Sequence, residues 1–236
     1  MELQACIKRL PGEKKRILQQ VPGSPNNIID IGSGPGFFTY CLSRSFPQAR
    51  VVGVDGDRQS VEEAAGAYVQ PNLEYRFGDI ADLEPGSYEV AVMCSVIEHL
   101  PNVGRSLRRV NELIAPGGVL LLDTDNAFSF KFLLANLYYG FRGTRPTTYK
   151  WHEQDRYYWW NHHIYSWTLS TLTTLLELYG FKLEGYWYTH HYPGRTLTDR
   201  LSDAVGALVP GLRRHIVVKL SKVGPPVIVE EAPEGA

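Results

Sequence analysis

Asn26-Asn27-Ile28-Ile29-Asp30-Ile31-Gly32-Ser33-Gly34-Pro35-Gly36-Phe37-Phe38-Thr39-Tyr40-Cys41-Leu42 is the stretch that decides the fold. Its first six residues are a short apolar run with β-branched side chains, which reads as a buried strand. Three glycines follow at alternate positions, and residues 37–42 continue with helical spacing. A strand, a glycine turn and a helix start make the nucleotide-binding half of a doubly wound sheet. Glycine is needed because the turn is tight and a side chain there would keep a ligand off the backbone. The spacing is G-x-G-x-G, whereas a dinucleotide fingerprint is G-x-G-x-x-G, and Phe37 stands where that pattern would be completed. A pyrophosphate needs the exposed helix N-terminus, and a ligand without phosphate does not. The spacing therefore favours S-adenosylmethionine over NAD.

Two further strand ends support this. Arg50 to Val54 is a second apolar run and ends on Asp55, where a carboxylate can accept hydrogen bonds from both hydroxyls of a ribose. Leu73 to Phe77 is followed by Gly78-Asp79-Ile80, an acid and an apolar side chain suited to flank an adenine. Asp79 has a competing reading as a helix N-cap. The candidate cofactor contacts are thus Asp30, Gly32, Ser33, Gly34 and Gly36 in the turn, Asp55 and Gly56 after the second strand, and Asp79 and Ile80 after the third. Cys94 and Ser95, at the end of the fourth, complete them.

These segments, with Cys94-Ser-Val-Ile-Glu-His-Leu-Pro101 and Leu113-Ile-Ala-Pro-Gly-Gly118, resemble the class I S-adenosylmethionine-dependent methyltransferases over residues 26–125. The Glu98-His99-Leu-Pro segment is similar to the small-molecule branch that includes ubiquinone-type O-methyltransferases. Beyond residue 125 the chain resembles bacterial glycan and natural-product methyltransferases, through His163-Ile-Tyr-Ser-Trp-Thr168, a helix over 169–179 and Gly180-Phe181. The resemblance implies an α/β fold, a Rossmann-like, doubly wound sheet of seven mostly parallel strands with an antiparallel last strand. Ser95 stands where related enzymes often carry an acid.

Length and charge fit one enzyme domain over residues 1–236. The net charge of −1 and the lack of a dense Lys/Arg tract disfavour a nucleic-acid substrate. Cys6, Cys41 and Cys94 are scattered and odd in number, so Cys41 and Cys94 are expected to be buried thiols in a reducing cytoplasm. No signal peptide and no 18-residue apolar run is visible, which points to a cytoplasmic protein without a membrane span.

Residues 1–20 read as a helix interrupted at Pro11-Gly12, and the loop to residue 25 leads into the first strand. Strands are expected over 27–31, 50–55, 73–78, 89–94 and 119–124, with helices over 37–46, 58–68 and 103–114. Residues 181–188 and 215–223 supply the last two strands, and 224–236 reads as a disordered tail. Residues 126–167 break the pattern with eleven aromatic residues among Tyr138–Trp167 and with His152, His162 and His163. An insertion there lies over the strand ends where such sheets bind ligands, and its rings suit a lid that excludes water. The same rings could instead pack a small helical subdomain or a homodimer contact.

In-line transfer of a sulfonium methyl asks mainly for a close, aligned acceptor. A hydroxyl acceptor also benefits from a base, most often His. His163 and His99 are the candidate catalytic residues, and His162, Tyr165 and Trp160 the candidate substrate contacts. His99 has an alternative role as a helix cap or packing group. No metal is expected: His162-His163 are adjacent, and beyond Asp123, Asp125 and Asn126 no further acid follows. The expected reaction is methylation of a small-molecule hydroxyl on a sugar, quinone-like compound or natural product. The alternatives are N- or C-methylation, a non-catalytic binding protein and an NAD oxidoreductase.

Overall fold

In the computed structural model, which describes residues 3–142, 163–190 and 196–228, the run before the glycine turn is β1 (Asn27–Ile31). It is flanked in parallel by β2 (Arg50–Asp55) and β4 (Tyr88–Cys94). Outside these lie β3 (Leu73–Phe77) and β5 (Ile114–Asp125), both parallel to their neighbours. Then β7 (His215–Lys222) runs antiparallel to β5, and β6 (Phe181–Thr189) antiparallel to β7. The order β3-β2-β1-β4-β5-β7-β6 reverses between β1 and β4. That reversal opens a crevice beyond the carboxyl ends of the strands, and ligands of doubly wound sheets bind there.

Alternation along β1 sorts its side chains between two cores. Ile29 and Ile31 face Leu107, Val110 and Leu113 of α5 (Val103–Leu113) and Leu172 and Leu176 of α7 (Leu169–Leu178). On the other face Ile28 joins Cys6 of α1 (Leu3–Arg9), Ile17 of α2 (Gly12–Gln20) and Phe38 and Leu42 of α3 (Phe37–Ser45). Asp30 points to this second face, so the acid of the glycine motif lies under α2 and α3. α4 (Arg58–Ala67) follows β2 and is capped by Asp57, which accepts a hydrogen bond from Ser60 N at 3.2 Å.

Three expectations change. The helix before β5 ends at Leu113, and the strand begins at once with Ile114. Tyr88 pairs with Ile114 but Val90 with Val119, so residues 115–118 bulge out of the ladder. Cys6 and Cys41 are not separate thiols. α1 packs on α3, their Cα atoms stand 6.0 Å apart, and the two sulfurs are bonded, leaving Cys94 as the free, buried cysteine among the described residues. At the start of the segment read as a tail, Val227 N donates to Leu178 O at 2.8 Å and Arg108 reaches Ile228 O at 3.1 Å. Residues 229–236 lie outside the described residues.

Within the insertion, α6 (Phe130–Phe141) buries none of its side chains. It lies beside α8 (Leu197–Leu208), joined by a 2.9 Å ion pair between Lys131 and Asp199. Residues 143–162, with Trp160, His162 and most of the expected aromatics, lie outside the described residues. No helix among the described residues is long and apolar enough to cross a membrane.

Candidate active site

The glycine turn is held by the strand beside it. Gly32 N and Ser33 N both donate to Val54 O, at 2.8 and 3.0 Å. Gly32 and Gly36 have φ of +74° and +81°, a conformation that disfavours a side chain. A Cβ on Gly36 would come within 2.5 Å of the Ala64 Cβ, so this glycine also serves close packing of the turn on α4. Tyr75 donates its hydroxyl to Gly36 O at 2.9 Å. Its ring lies where a Cβ on Gly53 would stand 2.9 Å from it, so glycine inside β2 makes room for that brace.

Asp55 ties the turn to the end of β2. Its Oδ2 accepts from Gly34 N at 2.7 Å and its Oδ1 from Asp57 N at 2.8 Å. Each carboxylate oxygen has about two lone-pair sites, so each keeps acceptor capacity for a ligand hydroxyl. A cleft of about 510 Å³ opens here, with Gly32, Asp55, Gly56, Asp79, Ile80, Ser95 and His99 in its wall. Phe77 and Leu100 add apolar surface, and Asn102 and Arg105 close the far side. The cleft has the polar–apolar make-up of a nucleoside site: a diol acceptor at one point and apolar walls beside it.

Other predicted residues are placed differently. Asp30, Ser33 and Cys94 are buried and do not line the cleft. Asp30 accepts from Thr39 Oγ1 at 2.6 Å, and burial pushes its pKa up to about 6. Asp79 accepts from Ala81 N at 2.8 Å, so the cap reading holds alongside its place in the wall. His99 does not cap α5, because Asn102 Oδ1 accepts from Arg105 N at 3.0 Å in that role. Tyr165 stacks on Trp167, with centroids 5.4 Å apart, and packs on the core rather than lining the cleft. Ser95 carries the positive φ of 55°, which costs a non-glycine residue about 1–2 kcal/mol. It is held there by hydrogen bonds from its N and Oγ to Asp123, both 3.1 Å.

Beyond Ser95 a row of ionisable groups crosses the ends of β4, β5 and β7. Glu98 is 1% exposed and accepts from Thr124 Oγ1 at 2.9 Å. Its backbone O accepts from Ile164 N and Tyr165 N, at 2.7 and 3.2 Å, and so pins the segment that carries His163. The rings of His99 and His163 meet edge-on, 4.6 Å between centroids. His163 Nδ1 lies 3.5 Å from Asp125 Oδ2, and His215 Nε2 lies 3.5 Å from Asp125 Oδ1. Burial lowers the His163 pKa against the pull of Asp125, and Arg214 and His215 lower it further. Burial works against charge on His215 too, yet Asp123, Glu13 and Asp125 outweigh it and raise its pKa.

Sequence reasoning missed three of these groups. Tyr75 and Lys14 carry no local mark. Burial opposes the Lys14 charge, but Cys94, Asp30, Asp123 and Glu13 outweigh it and leave its pKa above the ordinary lysine value. His215 was within reach, because it starts the antiparallel last strand and so faces Asp125 across the ladder. Asn126 is spent on structure: its amide donates to Gly211 O and Arg213 O at 2.8 Å each. Polar atoms of Glu98, His99 and His163 do gather within 4.8 Å of one another.

Burial pushes the Glu98 pKa up to about 8 from 4.5. In the folded state the carboxyl then stays protonated over a range where the unfolded chain ionises. Stability attributable to Glu98 therefore falls as pH rises from about 5 to about 8. Glu98→Gln keeps an acceptor for Thr124 and removes this dependence. Its stability relative to wild type is expected to improve by on the order of a few kcal/mol between pH 5 and 8. Parallel denaturant-unfolding curves of the two proteins across that range would refute the assignment.

A family model described as a methyltransferase domain matches residues 5–185. The chain belongs to this methyltransferase family. A trans-aconitate 2-methyltransferase of Deinococcus radiodurans is 39% identical over 96 residues, 41% of this chain and 36% of the relative. A ubiquinone biosynthesis O-methyltransferase of Xanthomonas campestris is 26% identical over 118 residues, 49% of this chain and 48% of the relative. The chain thus spans less than half the length of these curated relatives. An S-adenosylmethionine-dependent methyltransferase structure from Mesorhizobium loti superposes with a TM-score of 0.59 at 16% identity, over 93% of this chain and 100% of that one. This methyltransferase uses S-adenosylmethionine, and its glycine turn, its Asp55 and the apolar walls beside that carboxylate fit that cofactor.

Proposed function

We propose that this methyltransferase methylates a hydroxyl of a small molecule, with His163 or His99 as the proton acceptor. The observation that carries the proposal is the pair of imidazoles meeting edge-on where the cleft wall ends at His99. S-adenosylmethionine supplies an activated sulfonium methyl. Asp55, braced by Gly34 N, holds its nucleoside end, and Ile80 and Phe77 flank the base. The protein must then bring the acceptor oxygen into line and take its proton, and a histidine with lowered pKa is neutral and able to do so near pH 7. Asp123 and Asp125 on the β5 side would repel a carboxylate acceptor, which favours a hydroxyl. The weak net charge favours a small molecule over nucleic acid. The test is a methyl-transfer screen with S-adenosylmethionine over sugars, phenols, quinone precursors, amines and carboxylates. Transfer to phenolic or sugar hydroxyls is expected. Exclusive transfer to an amine, a carbon or a carboxylate would overturn the O-methyl assignment.

A further inference from the structure

We infer that Asp125 and His215 are positioning residues that hold His163 in the one tautomer able to accept the substrate proton. This rests on the hydroxyl-methylation reading of the site and adds a specific acid–base device to it. Asp125 is the last residue of β5 and half-buried, and its two oxygens face two different histidines. Oδ2 lies 3.5 Å from His163 Nδ1 and Oδ1 lies 3.5 Å from His215 Nε2. His215 in turn places Nδ1 3.7 Å from Asp123 Oδ1, and Asp123 is fully buried and hydrogen-bonded to Ser95. The result is a row, His163–Asp125–His215–Asp123, that begins beside the cleft and ends inside the sheet.

The chemistry follows from imidazole. A neutral ring carries one N–H, and a carboxylate beside Nδ1 keeps the proton there, which leaves the Nε2 lone pair available. Without Asp125 the two tautomers compete and part of the population presents an N–H where a base is required. During transfer the acceptor oxygen forms its bond to the methyl carbon while the carbon–sulfur bond breaks and its electron pair stays on sulfur. The hydroxyl proton passes to His163 Nε2. The resulting imidazolium is balanced by Asp125, and its proton leaves to water, since the His163 side chain is 30% exposed.

His215 tunes the same carboxylate from behind. Among the described residues, several charged and titratable groups bear on the row, Lys14 of α2 on Asp123 among them. Glu98 and His99 face His163 from the turn after β4, and Arg214 and His215 face it from the start of β7. Glu13 of α2 and His190 at the end of β6 bear on His215. A merely structural Asp125 would have no reason to lie between two imidazoles and to be set against His215 by the register of β5 and β7.

The test uses the full chain with ¹⁵N-labelled histidine and long-range ¹H–¹⁵N spectra, which report each ring's tautomer and titration without any acceptor. In wild type, neutral His163 is expected as the Nδ1–H form. In Asp125→Asn its midpoint should fall by roughly one pH unit and the single tautomer should give way to a mixture. His215 should fall as well. In His215→Gln, with His215→Asn as a second variant in case the first fails to fold, the His163 midpoint should rise. A kinetic arm uses a hydroxyl acceptor from the screen above. Asp125→Asn should lower kcat about 10-fold or more, leave the KM for S-adenosylmethionine unchanged and move the acidic limb of the pH–rate profile with the His163 midpoint. An unchanged His163 tautomer and midpoint in Asp125→Asn would overturn the inference while leaving His163 as base. Full turnover in His163→Gln would instead remove the histidine base, and the inference with it. Loss of turnover with chelator, restored by Mg²⁺, would overturn it in favour of an ion among these groups.

Discussion

Asp55→Ala is expected to weaken S-adenosylmethionine binding by about 1.5–3 kcal/mol, or roughly 10- to 100-fold, the range for a hydrogen bond to a charged group. The carboxylate has two duties. It accepts from Gly34 N and from Asp57 N, and so fixes the tip of the glycine turn against the end of β2. It also presents its remaining acceptor sites to the cleft, where a ribose diol can use both oxygens at once. Asp55→Asn weakens both duties in part: its one oxygen can accept from Gly34 N or Asp57 N but not both, and its NH2 offers a donor where a ribose hydroxyl needs an acceptor, so its loss should fall between wild type and alanine. Calorimetry on samples with wild-type circular dichroism is the measurement. Wild-type affinity in Asp55→Ala would show that the nucleoside is not held at this strand end.

Why the strand-end position of Asp55 was read from the sequence and His215 was missed comes down to the range of the interactions involved. β1 and β2 are short, apolar and β-branched, and an acid at the tip of such a strand follows from local pattern alone. The observed spans, Asn27–Ile31 and Arg50–Asp55, match that pattern to the residue. The bulge at 115–118 covers Pro116-Gly117-Gly118, but the pairing of Ile114 with Tyr88 that creates it depends on a partner 26 positions away. The bond between Cys6 and Cys41 has the same origin. Neither residue has a local mark, and only the docking of α1 on α3 brings them together. Tyr75 is the sharpest case. In sequence it is one aromatic in a strand with an exposed, charged run, yet its hydroxyl braces the glycine turn because Gly53 on the neighbouring strand has no side chain. For the acid–base row, register decides everything. Asp125 opposes His215 across an antiparallel ladder, and a slip of one position would turn His215 to the opposite face.

Turnover in His163→Gln is expected to fall by about 10²-fold or more with the affinity for S-adenosylmethionine nearly unchanged. His99→Gln is expected to affect turnover less and cofactor affinity more, because His99 lines the cleft whereas His163 is backed by Asp125. The two rings touch edge to edge, so each single variant also alters the other's surroundings, and the double variant should lose less than the product of the single losses. The pH profile supplies the sign. The base is active when neutral, burial lowers the His163 pKa, and so kcat should rise through a midpoint below the ordinary histidine value and stay high at neutral pH. His163→Gln should erase that acidic limb, and His99→Gln should keep it. Retention of full turnover by both single variants and by the double variant would mean that alignment alone drives the transfer and that the imidazoles serve to hold the segment after β5 against Glu98.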